Sequence, residues 1–210
     1  MPRGSGERRL EDAIDALAKA LDRTGAPWMI IGGIAIVAHG VRRLTTDIDA
    51  AVQGDAVDVR TLLAQFSKSK IRPRIHDAQA FARNNLILLM RHEPTGVDLD
   101  VSLAWSGFER DALQSRTKLA FGRSRVPMAK PEDLVVFKLV AGRPKDIEDA
   151  QALVALHPQM DLARARRHLQ ELASLIEDDA LLARWESLAR WARATRRKRR
   201  PKALAKRVRR

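Results

Sequence analysis

The sequence predicts an α+β chain: a small mixed β-sheet flanked by helices, followed by an all-helical C-terminal lobe and a basic tail. Three observations carry that expectation. Trp28–Ile31 is a short apolar run that ends on Gly32-Gly33 with an apolar helical turn behind it, the pattern of a buried strand passing straight into a helix. Residues 86–90 and 97–103 flank HEPTG, and residues 118–121 and 124–128 flank Gly122, which reads as two hairpins. From Pro131 the apolar period is helical, so a boundary is expected near residue 129, giving segments 1–128, 129–194 and 195–210.

Composition narrows the function classes. A chain of 210 residues suffices for a small catalytic domain with a helical lobe. With no cysteine there is no disulfide framework, thiol nucleophile or zinc–thiolate site. The stretch MPRGSGERRLEDAI is polar, and no run approaches about eighteen apolar residues, so neither a signal peptide nor a membrane span is expected and the cytoplasm is the default location. The formal charge is +13, yet eleven Lys and Arg fall between Arg193 and Arg210 with no acid, so the rest carries only +2. The run Arg196, Arg197, Lys198, Arg199, Arg200 fits a solvated end as well as it fits a salt-sensitive hold on a nucleic-acid backbone.

Taken in order, Glu7–Asp22 spaces Leu10, Ile14, Leu17 and Leu21 as one face of a helix that stops at Gly25. Next comes the half-site. Gly32-Gly33 lets the backbone approach a ligand closely, and the helix behind offers unbonded N–H groups to phosphate. In a strand carrying Asp47-Ile48-Asp49, both carboxylates point one way while Ile48 and Ala50 enter the core. Parallel carboxylates repel unless a cation lies between them, and Mg²⁺ prefers such hard oxygen donors. A glycine pair alone is an ordinary turn, and two spaced aspartates alone are often a solvated edge. Their order and spacing, with Arg43 and Thr45 between them, favour phosphoryl or nucleotidyl transfer. Arg42 and Arg43 suit either the triphosphate or the flank of the acids, and His39 suits packing better than ligation.

The string GG-x-A-x-x-x-HG-x-x-R-x-T-x-DID, from Gly32 to Asp49, resembles the signature of the nucleotidyltransferase superfamily with the DNA polymerase β-like fold. It is most similar to the AbiEii-like toxin and antibiotic-nucleotidyltransferase branches. The resemblance implies that Asp47 and Asp49 hold Mg²⁺ ions on an NTP, two metals in all, with Gly32 and Gly33 under the β- and γ-phosphates.

The remaining elements follow. Helices are expected over Asp55–Phe66 and Asp77–Arg83, with a strand at Ile71–Ile75 interrupted by Pro73. In GVDLDV, alternation sends Val97, Leu99 and Val101 inward and Asp98 and Asp100 to the other face. An exposed edge strand would explain the two acids without function. The resemblance instead supplies a third carboxylate, which activates the acceptor hydroxyl and helps hold metal; its GVDL pattern favours Asp98 with Asp100 in reserve, and spacing does not decide between them. Ser106–Arg116 is a helix whose SGFER segment also resembles these relatives.

In the lobe, PEDLVVFKLVAGRPKDIEDAQAL opens with a good helix start. Lys138 among apolar residues, with Arg143, Lys145, Asp146 and Asp149 beyond Gly142, reads by itself as a helix junction tied by ion pairs. However, K-L-x-A-x-R-x-K-D-x-x-D is similar to the helical motif of AbiEii-like transferases. That similarity implies essential roles for Lys138 and Asp146, with Arg143 and Lys145 facing phosphates; the short Ala-to-Arg interval implies a tighter groove. Asp161–Ile176 and Asp178–Ala194 are two more amphipathic helices, and the tail beyond Thr195 lacks the apolar content to fold alone.

The resulting expectation is a Mg²⁺-dependent transfer of NMP to an acceptor hydroxyl. The basic tail and toxin-like resemblance point to RNA, such as a tRNA 3′ end, with a cognate antitoxin as partner. The alternatives are a small antibiotic-type acceptor or a nucleic-acid-binding protein that has lost catalysis.

Overall fold

In a computed structural model of the chain, the backbone is described for residues 5–199 and side chains for residues 6–195. The chain forms two compact units, one running through Leu134 and one beginning at Val135.

In the first unit, β1 (Trp28–Ile31), β2 (Ile48–Gln53), β3 (Ile71–Pro73), β4 (Ile87–His92), β5 (Val97–Ala104), β6 (Thr117–Phe121) and β7 (Ser124–Met128) form one mixed sheet in the order β3-β4-β5-β2-β1-β7-β6. Helices α1 (Ser5–Asp22), α2 (Gly32–Ala38), α3 (Val59–Lys68), α4 (Ala78–Asn85) and α5 (Gly107–Ser115) complete it. This is the α+β architecture that the sequence predicts. β2 is central, antiparallel to β1 and parallel to β5. That position explains its apolar content, since Ile48, Ala50, Ala51 and Val52 are all buried. In β5 the alternation holds as expected: Val97, Leu99, Val101 and Leu103 are buried, and Asp98, Asp100 and Ser102 are half-buried on the opposite face. α1 buries Ala13, Ile14, Leu17, Ala20 and Leu21, the face drawn by its three-to-four spacing.

Several boundaries differ from the sequence expectation for local reasons. The helix expected from Asp55 starts at Val59, because the Asp58 side chain accepts the Thr61 N–H at 2.9 Å and caps it there. β3 stops at Pro73 instead of reaching Ile75, and it lies at the sheet edge, where a residue without an N–H is tolerated. α5 begins with a capping box: Ser106 accepts the Glu109 N–H at 3.1 Å, and Glu109 accepts the Ser106 N–H at 3.0 Å.

The second unit holds the end of α6 (Pro131–Ala141), then α7 (Pro144–Leu156), α8 (Leu162–Ile176) and α9 (Asp179–Arg199). Leu139, Leu153, Leu169, Leu181 and Leu188 are among its buried side chains. The α9 backbone continues past Thr195, where composition alone predicts the helix to end. The side chains of Arg196, Arg197, Lys198 and Arg199 lie outside the described residues, as does Arg200 entirely. No helix among the described residues is long and apolar enough to cross a membrane.

Replacing the cap in Ser106→Ala should lower stability by about 1 kcal/mol. The expected readout is an earlier urea midpoint at unchanged slope.

Candidate active site

The site grows from one transverse row of the sheet. Ile31 at the end of β1 pairs with Asp49 of β2, Asp49 pairs with Asp100 of β5, and Asp100 pairs with Leu89 of β4. Residues in register share a face, so Asp49 and Asp100 stand side by side at the ~4.8 Å spacing of neighbouring strands. Asp47 stands just before β2, which begins at Ile48 and not at Asp47 as the sequence pattern suggests, and it lines the same cavity as Asp100.

The glycine pair closes the site from above. Gly32 has φ +62°, and a Cβ there would lie 1.9 Å from Asp49 Oδ2. The backbone turn and the carboxylate therefore occupy adjoining space that only glycine leaves open. A Cβ on Gly33 would lie 2.4 Å from Thr45 Oγ1 and 3.5 Å from an Arg43 guanidinium nitrogen. The Thr45 hydroxyl donates to Asp47 Oδ1 at 3.1 Å. Thus Gly32, Gly33, Arg43, Thr45, Asp47 and Asp49, separate in the sequence, form one cluster. His39 takes the packing role expected of it, with Nε2 at 2.9 Å from the Ala129 carbonyl oxygen.

The two candidate third carboxylates differ sharply in surroundings. Asp98 pairs across the strands with Arg91, whose Nε and Nη2 donate at 2.7 and 3.3 Å. That hydrogen-bonded guanidinium holds the Asp98 carboxyl below the usual carboxylate range, against a smaller opposing effect of burial. Burial pushes Asp100 up instead; the charges of Asp47 and Asp98 add to this, and Arg74 opposes it. Arg74 forms an ion pair with Asp100 and stands 3.5 Å from Asp98. A cavity of ≈ 980 Å³ opens over these groups, lined among others by Glu7, Arg9, Thr45, Asp47, Asp98 and Asp100.

Comparison with known proteins agrees with this geometry. A family model described as "Nucleotidyltransferase of unknown function (DUF6036)" matches residues 8–199. The chain belongs to that family. This nucleotidyltransferase is similar in fold to the solution structure of the antibiotic-resistance factor ANT(2'')-Ia, with TM-score 0.56 and 19% identity over 80% of this chain and 95% of that one. It is similar also to ANT(2")-Ia in complex with adenylyl-2"-tobramycin, with TM-score 0.54 and 19% identity over 85% of this chain and 98% of that one. An antigenic nucleotidyltransferase-like protein from Paracoccidioides brasiliensis gives TM-score 0.51 and 20% identity over 89% and 95% of the two chains. No curated protein sequence matches the chain.

In the transferase's second unit, Lys138 Nζ lies 2.8 Å from Asp146 and 3.1 Å from Asp149, all three buried. Arg143 reaches the other Asp146 oxygen at 2.5 Å while its own side chain remains 61% exposed. Burial pushes the Asp146 carboxyl up, but Arg143 and Lys138 together outweigh it and hold the group below its ordinary value. This is the ion-paired helix junction that the residues read as by themselves, and Lys145 stands exposed beside it.

Sequence reasoning missed Arg74 and Arg91. Their signal is cross-strand: Arg91 lies opposite Asp98, and Arg74 follows the strand that ends on Pro73. Neither pairing can be read without the register.

Two outcomes follow. Gly32→Ala should keep the fold by circular dichroism yet weaken NTP binding at least tenfold in calorimetry, because its Cβ displaces Asp49. Lys138→Ala should cost about 3 kcal/mol in urea unfolding, since it leaves buried carboxylate charge uncompensated.

Proposed function

We propose that this nucleotidyltransferase moves NMP from an NTP to an acceptor hydroxyl and releases pyrophosphate, with Asp47, Asp49 and Asp100 as its carboxylate set. The observation that carries this is the register of Asp49 against Asp100 beneath the Gly32-Gly33 turn. Asp100 takes the place that the GVDL pattern favoured for Asp98, because Asp98 is already committed to Arg91.

The donor set suits a hard divalent cation in kind, being carboxylates on one face, and Mg²⁺ is the natural choice. Among the described residues no group of three His, Asp or Glu is placed to hold a metal ion, and Arg74 is ion-paired with Asp100. Mg²⁺ held by Asp47, Asp49 and Asp100 would supply charge neutralisation along the triphosphate and acidify the acceptor hydroxyl. The chain's own groups do the rest. Backbone N–H groups of Gly32 and Gly33, with Arg43 and Thr45, hold the phosphates against the turn. Asp100 accepts the proton as the acceptor oxygen bonds to the α-phosphorus and the bond to the β-phosphate oxygen breaks. Before metal binds, burial raises the proton affinity of Asp100. In the second unit, the Lys138–Asp146 pair fixes Arg143, beside the exposed Lys145.

A small, positively charged polyhydroxyl acceptor is the reading the cavity supports best. Glu7 and Asp98 add carboxylates to its lining beyond the catalytic set, beside the cations Arg9 and Arg74, and one structure of similar fold holds adenylyl-2"-tobramycin. The second reading is an RNA 3′ end in a toxin-like system with an antitoxin partner. It rests on the AbiEii-like motifs and on the eleven cations after residue 192.

The test is incubation with Mg²⁺, each α-³²P-labelled NTP, and either total RNA or a panel of aminoglycosides and aminocyclitols. Label should enter an acceptor and be lost by at least a thousandfold in Asp49→Asn and Asp100→Asn. Full activity in either variant overturns the assignment, and the labelled species decides the acceptor. The acid limb of kcat/KM should lie above the ordinary aspartate range, rising with pH as Asp100 ionises.

A further inference from the structure

Arg74 occupies an unusual place for a cation. β3 pairs with β4 so that Pro73 faces Met90, and the Arg74 N–H then donates to the Leu89 carbonyl at 2.9 Å. Leu89 is in register with Asp100, and Asp100 with Asp49. Arg74 is thus one strand further out on the same transverse row, with its guanidinium extending past Leu89 to the carboxylates. Its backbone is tied to the sheet by that hydrogen bond, immediately after the strand ends at Pro73. Its side chain is 27% exposed, so the charged end can leave its partner and regain water.

The partners divide the work unequally. Asp98 has Arg91 as a two-nitrogen donor and meets Arg74 only at 3.5 Å. Asp100 meets Arg74 as its cation. Withdrawing Arg74 therefore leaves Asp98 paired and frees Asp100 to turn toward Asp47, whose charge it already senses.

We infer that Arg74 is a built-in counter-cation that competes with the divalent metal for Asp100, a positioning residue that keeps the nucleotide-free site weak for metal. The inference rests on Asp100 belonging to the metal-binding set. A guanidinium neutralises one unit of the charge shared by Asp47, Asp49 and Asp100, and a divalent ion binding there must push it aside. An NTP arrives with its own metal and with phosphate oxygens that take a guanidinium readily. The exchange moves Arg74 from carboxylate to polyphosphate and Asp100 from guanidinium to metal, with no bond broken. Metal is thereby admitted together with nucleotide.

The experiment is titration of the nucleotide-free protein with Mn²⁺, free ion being counted by electron paramagnetic resonance. Arg74→Gln and Arg74→Met, which retain the stem over Leu89, should bind Mn²⁺ at least tenfold more tightly than the unaltered protein. Arg74→Lys, which retains the charge, should bind it about as weakly as the unaltered protein. In an Asp100→Asn background, Arg74→Gln should no longer tighten binding. Unchanged or weaker Mn²⁺ binding in both neutral Arg74 variants, with Asp100→Asn still lowering affinity, overturns the inference and leaves the carboxylate assignment standing. If Asp49→Asn and Asp100→Asn both leave Mn²⁺ binding untouched, the assignment falls and the inference with it.

Discussion

The close approach of the Gly32 backbone to the Asp49 carboxylate is the constraint on which the arrangement of the sheet-borne site depends. A Cβ at residue 32 would overlap Asp49 Oδ2 at 1.9 Å, and the φ of +62° there is one that other L-residues resist. The end of β1, the start of α2 and the start of β2 must therefore meet at one point. Once they do, register places Asp100 beside Asp49, and the loop from Arg42 to Thr46 is drawn over Gly33. The glycine pair thus acts less as a flexible turn than as a gap of defined size, filled by a carboxylate on one side and a threonine hydroxyl on the other.

The two units treat their charges in contrasting ways. Around the sheet, Asp98, Asp100, Arg74 and Arg91 are partly exposed, so their pairings can exchange at modest cost. In the helical unit, Lys138, Asp146 and Asp149 are removed from water, and breaking any pairing leaves a charge stranded. The first arrangement suits groups that trade partners during a reaction. The second suits groups that hold helices α6 and α7 in one geometry and aim Arg143 outward.

What the sequence revealed follows how local each feature is. The run from Gly32 to Asp49 spans one strand, one short helix and the start of the next strand, so its residues announce their cluster through spacing alone. The period-two pattern of β5 likewise gave the face of Asp98 and Asp100 correctly. The choice between those two was not legible, because it depends on which one β2 brings alongside Asp49 and which one Arg91 claims. Arg74 was invisible for the same reason: its partner lies 26 residues away and two strands across. Lys138 showed its ion-pair partners plainly, because Asp146 and Asp149 follow closely in the sequence, in the first two turns of the next helix.

The parallel pairing of β2 with β5 has a consequence for how the chain is made. Asp49 meets Asp100 only after β3, α3, α4 and β4 have been synthesised between them, and β1 gains its second neighbour only when β7 arrives. Long loops must close before those contacts repay the lost entropy. During synthesis β2, which carries Asp49, is thus complete beside β1 before its parallel neighbour β5 exists. The emerging chain carries the Gly32-Gly33 turn with Asp47 and Asp49 before Asp100 is made, and Asp100 comes alongside Asp49 only when β5 pairs with β2.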